Sequence, residues 1–287
     1  MKIIGRSKII RPHKQVLVIG LDGATLDLIV PWAQQGKLPA LGNLIANGTY
    51  GTLLSTLPPM SPPAWVSCIT GVNPGKHGVF LFENLDLPTF GNTQKSLPVD
   101  SSQFAGTTLF DILSAYHLKT VTYRVPMTYP AWAINGFMVS GYPGPATIIE
   151  SSAYPNRVQK RIKGYPEYPD FKKALSISFG DTLQDDRDIL PLWYGIRIQR
   201  DVEAIVDLLS EEQWELFFAV FGVTDDVQHH FWQYLTHENE LVGSGDATTY
   251  RDIIYQIYRK VDDAIGKINN IRNHTLRFEF LSISFWF

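Results

Sequence analysis

Residues 16–22, VLVIGLD, form a continuous apolar and β-branched run closed by Asp22-Gly23, the profile of a central parallel strand buried on both faces. Similar runs recur at 120–125 (TVTYRV), at 137–141 (FMVSG) and from Trp214 to Val223. Helical patterns alternate with them. Pro39 and Gly48 bracket a short helix with Leu41, Leu44 and Ile45 on its inner face, and Ser61-Pro62-Pro63 opens another that Gly71 can end. Thr107 to Tyr116 and Leu190 to Leu209 read as further helices. Ile254, Ile257, Val261, Ile265 and Ile268 recur at intervals of three and four, which makes 250–272 an amphipathic helix. GTLLST, 51–56, reads as a strand, and so does the final LRFEFLSISFWF, most simply as an edge strand. The alternation predicts an α/β fold, a doubly wound and mostly parallel sheet with helices on both faces.

The pattern breaks in two places. Residues 1–15 carry basic charge without period and are expected to be a flexible extension ahead of an α/β domain spanning 16–287. From 141 to 189 Pro, Gly, Tyr and charge follow one another without period, which predicts an inserted, lid-like segment over the sheet edge.

Composition narrows the partners. With 287 residues and 45% hydrophobic content the chain can bury a large core, and a net charge of -3 from 25 basic and 28 acidic residues argues against a nucleic-acid polymer as partner. Cys68 is the only cysteine, so neither an intrachain disulfide nor a cysteine-rich zinc site can form. No apolar run reaches the roughly 18 residues of a membrane span, and a cytoplasmic location is expected.

The chemistry concentrates in TDDVQHHFW, directly after the run that ends at Val223. If the chain turns helical there, Asp225 and His229 lie one turn apart on one face, and a carboxylate with an imidazole suits zinc or manganese better than calcium. Asp226 with His230 offers the same spacing, and Asp225 could instead cap the helix, with Thr224 or Asp226 as alternates. In a parallel sheet the loops carrying Asp22, Ser61 and Asp225 share one edge, where α/β enzymes place their sites. Ser61 at a helix start is a candidate nucleophile if a metal can hold its alkoxide, although as a lone residue it reads as an N-cap, just as Asp22 reads as a turn residue. Pro62 and Pro63 have no amide hydrogens, so help to an anion there would come from later amides or from the helix dipole. GVNPGKHG, 71–78, fails as a phosphate-binding loop because its glycines are too close and His77 stands where Ser or Thr should follow Lys76. It reads as a turn, with His77 a hydrogen-bonding residue and Lys76 a candidate contact for an anionic substrate.

As an ordered set, VLVIGLDGATLDLI, LPPMSPPAWVSCITGVNPGKHGVF and VTDDVQHHFW resemble the type I phosphodiesterase/nucleotide pyrophosphatase family of the alkaline phosphatase superfamily, in its phosphohydrolase/phosphomutase group. The resemblance implies two divalent metal ions, zinc or manganese, flanking a phosphoester of a small phosphorylated substrate or nucleotide. It assigns Asp22 and the nucleophile Ser61 to one ion and Asp225 with His229 to the other, and it selects that register over Asp226 with His230.

The sequence departs from the family where an Asp-His pair followed by Gly, and a later His, should stand. After HTLRF it reads EFLSISFWF. The expectation is a truncated or frame-shifted copy with a phosphoester hydrolase site impaired by missing ligands. The alternatives are a non-catalytic remnant that binds an anionic ligand, and a phosphomutase or sulfatase-like member of the same superfamily.

Overall fold

The computed structural model describes residues 15–84, 97–144, 150–162, 186–210, 213–235, 249–271 and 277–283, with 164, 170 and 172. Six strands form one sheet: β1 (Val16–Asp22), β2 (Thr120–Val125), β3 (Gly136–Ser140), β4 (Ala153–Tyr154), β5 (Leu216–Phe221) and β6 (Arg277–Ile283), in the order β4-β3-β2-β5-β1-β6. Every pairing is parallel except β3 with β4. This is the mostly parallel α/β architecture that the alternating pattern predicts.

Period-two alternation builds a core on each face. Leu17, Ile19 and Leu21 of β1 and Phe217, Ala219 and Phe221 of β5 point to one side. There they meet helices α1 (Leu26–Gln34), α2 (Pro39–Asn47), α7 (Asp186–Leu209), α8 (Val223–Leu235) and α9 (Ile253–Ile271). Val16 and Val18, with Leu216, Phe218 and Val220, face α3 (Ser61–Thr70) and α5 (Leu109–Ala115) on the other side. Two shorter helices among the described residues are α4 (Pro74–His77) and α6 (Asn156–Gln159). In β2 the alternation flips: Tyr123 faces the first core and Val125 the second, because the pairing shifts at Arg124, whose φ is +52°.

Most expected elements form within a few residues of their predicted bounds. GTLLST does not. Its residues make no strand, and Leu53 and Leu54 are 71% and 98% exposed. The inner strands β3, β2, β5 and β1 are paired on both sides, so the segment finds no neighbour among them to complete a ladder. The expected extension falls almost wholly on 1–14, outside the described residues, as does most of the lid-like segment. Within it, residues 150–162 add β4 antiparallel to β3 and then α6 at the sheet edge, and 186–189 begin α7. The final apolar run supplies β6, parallel to β1 at the opposite edge. Among the described residues no helix is long and apolar enough to cross a membrane.

Candidate active site

Asp22 closes β1, and neighbouring β5 ends one residue before Gly222, whose carbonyl accepts the amides of Asp225 and Asp226 as α8 begins. The two loops therefore leave the same edge of adjacent strands. They are also stitched together. The buried Thr224 hydroxyl donates to the Asp22 carbonyl at 2.6 Å, and the Gln228 side-chain amide donates to the Gly23 carbonyl at 2.6 Å and to that of Thr224 at 2.7 Å. Gly23 has φ +65°, and a Cβ there would stand 2.5 Å from Asp225 Oδ1 and 2.8 Å from its Cα, so only glycine lets α8 approach this closely.

A second close approach delivers Ser61. A Cβ on Gly20 would stand 2.6 Å from the Trp65 ring, so the bare backbone of β1 gives the indole its seat. Trp65 Nε1 then donates to Asp22 Oδ1 at 3.0 Å, and Ser61, one turn earlier on α3, donates its hydroxyl to the same oxygen at 3.1 Å. Pro62 and Pro63 fit the first turn, and Gly71 ends α3 in the left-handed conformation, its amide donating to the Ser67 carbonyl at 2.9 Å. The first amide beyond the prolines, that of Ala64, is taken by the Met60 carbonyl. Hence the dipole, and not a free Ala64 amide, is what α3 offers an anion.

The cluster is acidic, and its Asp22 end is buried. Burial, then the charge of Asp225, pushes the Asp22 carboxyl up to about 7, against the lowering effect of the Trp65 and Ser61 hydrogen bonds. Burial, then the charge of Asp226, pushes Asp225 up to about 6. Among the described residues neither Asp22 nor Asp225 is paired with lysine or arginine. The partner of Asp225 is His229, whose Nε2 lies 3.3 Å from Oδ2 across one helical turn. His229 is 63% exposed, so this half of the cluster opens to solvent.

The rival register has other work. Asp226 is ion-paired with Arg197, and His230 Nδ1 lies 2.8 Å from the Asp226 carbonyl and 3.0 Å from the Tyr194 hydroxyl, both anchors belonging to α7. Nor does Asp225 act as a helix cap, since it already lies inside the first turn of α8. Lys76 is exposed on α4, and among the described residues it makes no hydrogen bond or ion pair with the cluster. His77 does take a hydrogen-bonding place. Its Nδ1 accepts the Val79 amide at 3.1 Å, which leaves Nε2 to carry the proton toward Ser67 Oγ at 2.9 Å, and burial lowers its pKa.

The donor set suits a divalent cation. A buried carboxylate, a half-buried one whose charge raises the proton affinity of the first, a hydroxyl and an imidazole are oxygen and nitrogen donors, and among the described residues neither carboxylate has a lysine or arginine partner. Among the described residues no three His, Cys, Asp or Glu side chains converge on one point. By contact the four side chains fall into two pairs, Asp22 with Ser61 and Asp225 with His229. β6 runs beside the first half, Ile283 pairing with Asp22 in register.

The type I phosphodiesterase / nucleotide pyrophosphatase family model matches residues 16–274, which takes in every residue of this cluster. The chain belongs to that family. Within the solved structures, this family member is similar to the phosphonoacetate hydrolase of Sinorhizobium meliloti 1021 in complex with phosphonoacetate, at 17% identity and a TM-score of 0.43, over 88% of this chain and 54% of that one. It is also similar to Ps i-CgsB in complex with k-i-k-neocarrahexaose, at 14% identity and a TM-score of 0.44, over 94% of this chain and 58% of that one. The chain spans a little over half the length of each. No curated protein matches it.

Thr224 reads in the sequence only as an alternate helix cap, and Gln228 and Trp65 escape notice there, although the three hold the site together. A signal for the first two was present: Thr224 and Gln228 are polar residues one turn apart on a helix, aligned with the loop that carries Asp22.

Proposed function

We propose that the chain carries a metal-dependent phosphoester or phosphodiester hydrolase site in which Ser61 is the nucleophile. The observation that supports this reading most directly is the Ser61 hydroxyl at a helix N-terminus, hydrogen-bonded to a buried Asp22 that itself faces Asp225. Asp22 and Ser61 would hold one divalent ion, Asp225 and His229 a second, and zinc or manganese fits these donors. Bound there, such ions lower the pKa of the hydroxyl and draw charge from phosphoryl oxygens.

The protein groups do the rest. Asp22 accepts the Ser61 proton's hydrogen bond and so turns the Oγ lone pairs away from the carboxylate, toward the space above the strand ends. The α3 dipole favours negative charge on that oxygen by about 0.3–1 kcal/mol. Attack of Oγ forms a bond to phosphorus as the ester oxygen leaves with its electron pair, the Ser61 proton passing by way of Asp22 to that leaving oxygen, and water then cleaves the phosphoseryl bond, its oxygen going to phosphorus and a proton returning to Oγ. Trp65 keeps the Asp22 carboxylate from rotating, and its ring on Gly20 keeps water off the strand side.

With the two donors that the described residues supply to each half, affinity should fall below that of a three-ligand catalytic zinc site and turnover should be slow unless metal is supplied in excess. The test is hydrolysis of an aryl phosphodiester with excess zinc or manganese, then with a chelator, for the wild type and Ser61→Ala. Turnover that needs metal and disappears in the variant is expected. Turnover that survives Ser61→Ala would remove Ser61 from the mechanism.

A further inference from the structure

The doubled sequence Asp225-Asp226 and His229-His230 places two Asp/His pairs on α8, and the structure gives each a different neighbour. Asp225 and His229 face the Asp22 loop, whereas Asp226 and His230 face α7. Successive residues on a helix point about 100° apart, so fixing one pair fixes the direction of the other.

We infer that Arg197, assisted by Tyr194, is a positioning residue for the Asp225–His229 pair, acting through Asp226 and His230. This inference rests on the reading of Asp225 and His229 as metal donors. Arg197 and Tyr194 lie three residues apart on one face of α7. The guanidinium is ion-paired with Asp226 and sits over the Trp193 ring at 4.7 Å, with 14% of its side chain exposed. It also lies beside the turn that launches α8, 3.8 Å from where a Cβ on Gly222 would stand. The fully buried Tyr194 sends its hydroxyl to the Asp226 carbonyl at 3.3 Å and receives His230 Nδ1 at 3.0 Å. Two side chains of α7 thus hold one carboxylate, one backbone carbonyl and one imidazole across the first two turns of α8.

The clamp has two physical effects. It sets the rotation of α8 about its axis, which aims Asp225 at the Asp22 loop. It also places a positive charge against Asp226, the residue next to Asp225. Without Arg197, three carboxylates would crowd one strand edge with no guanidinium among them, and a cation would find its ligands turned as well as repelled by one another.

Two measurements on the full chain test this. Zinc affinity by calorimetry is compared for the wild type, Arg197→Met, Arg197→Lys and the double variant Arg197→Met with Asp226→Asn. Groups that orient metal ligands typically contribute about 10-fold or more to affinity, so Arg197→Met should lose at least that factor, with part recovered by Arg197→Lys and part by the double variant. Amide hydrogen exchange without metal is then compared at 225–230 and at 217–221. Arg197→Met should exchange faster in the helix turn and unchanged in β5. If that variant does not fold, Tyr194→Phe replaces it, with the same faster exchange at 225–230 expected. Affinity within twofold of wild type together with unchanged exchange would overturn the inference. A wild type that takes up no zinc would sink the metal reading instead, and the exchange comparison alone would then uphold or overturn the clamp.

Discussion

Replacing Asp22 by asparagine should make the metal-free protein more stable at alkaline pH while removing one of its metal donors. In the folded chain the Asp22 carboxyl is raised from 3.8 to about 7. Below about pH 4 both folded and unfolded chains hold the proton. Between about 4 and 7 the folded state keeps it and the unfolded state has released it, so stability falls as pH rises through this window, and above about 7 the whole loss is in place. Such a displacement corresponds to roughly 4 kcal/mol, and with water entry and relaxation we expect at least ~2 kcal/mol between the two proteins. The asparagine amide retains an oxygen to accept from Ser61 and Trp65, so Asp22→Asn removes charge with little change in shape. Urea unfolding from pH 4 to 8 in chelator should give curves that meet near pH 4 and diverge above it, the variant being the more stable. Added zinc should then stabilise the wild type more than the variant. Parallel curves, or a variant less stable at pH 8, would refute the electrostatic reasoning.

Other substitutions probe how the cluster is assembled. Gly23→Ala places a Cβ 2.5 Å from Asp225 Oδ1 at a φ of +65° and should cost on the order of 1–3 kcal/mol in thermal unfolding, with a further loss of zinc affinity. Thr224→Val leaves the Asp22 carbonyl without its buried hydroxyl donor and should cost about 1 kcal/mol in urea melts. Asp262, buried on α9, accepts the Ala40 and Leu41 amides at 3.1 and 2.7 Å, capping α2 from another element. Asp262→Ala should cost about 1–3 kcal/mol and leave zinc binding unchanged, because α2 is remote from Ser61 in the hydrogen-bond network.

Strands buried on both faces were the most legible feature, because VLVIGLD and the run before Gly222 need no partner to be recognised as apolar throughout. GTLLST reads as a strand from two leucines between polar residues, yet a strand also needs a ladder partner, and whether one is at hand is a property of the whole sheet. The doubled Asp/His motif shows the same limit at the scale of one residue. Spacing marks both registers as equal, and what separates them is Arg197 and Tyr194, close to thirty residues earlier in the chain and unconnected to the motif by any local pattern. Asp22 and Ser61 could be placed on one edge by topology alone. Their actual contact depends on Trp65 resting on Gly20, a packing event between α3 and β1. Asp262 was legible in principle, as an acid inside the arc of Ile254, Val261 and Ile265 that faces the core.

Equilibrium dialysis against zinc, with the wild type, Asp22→Asn, Asp225→Asn and the double variant, tests most directly whether the four donors form two metal-binding halves. The wild type should take up zinc weakly, approaching saturation only in excess, each single variant should lose part of that uptake, and the double variant should lose nearly all of it. Uptake that both substitutions leave untouched, or no uptake by the wild type at any zinc excess, would contradict a metal-dependent site at Asp22, Ser61, Asp225 and His229.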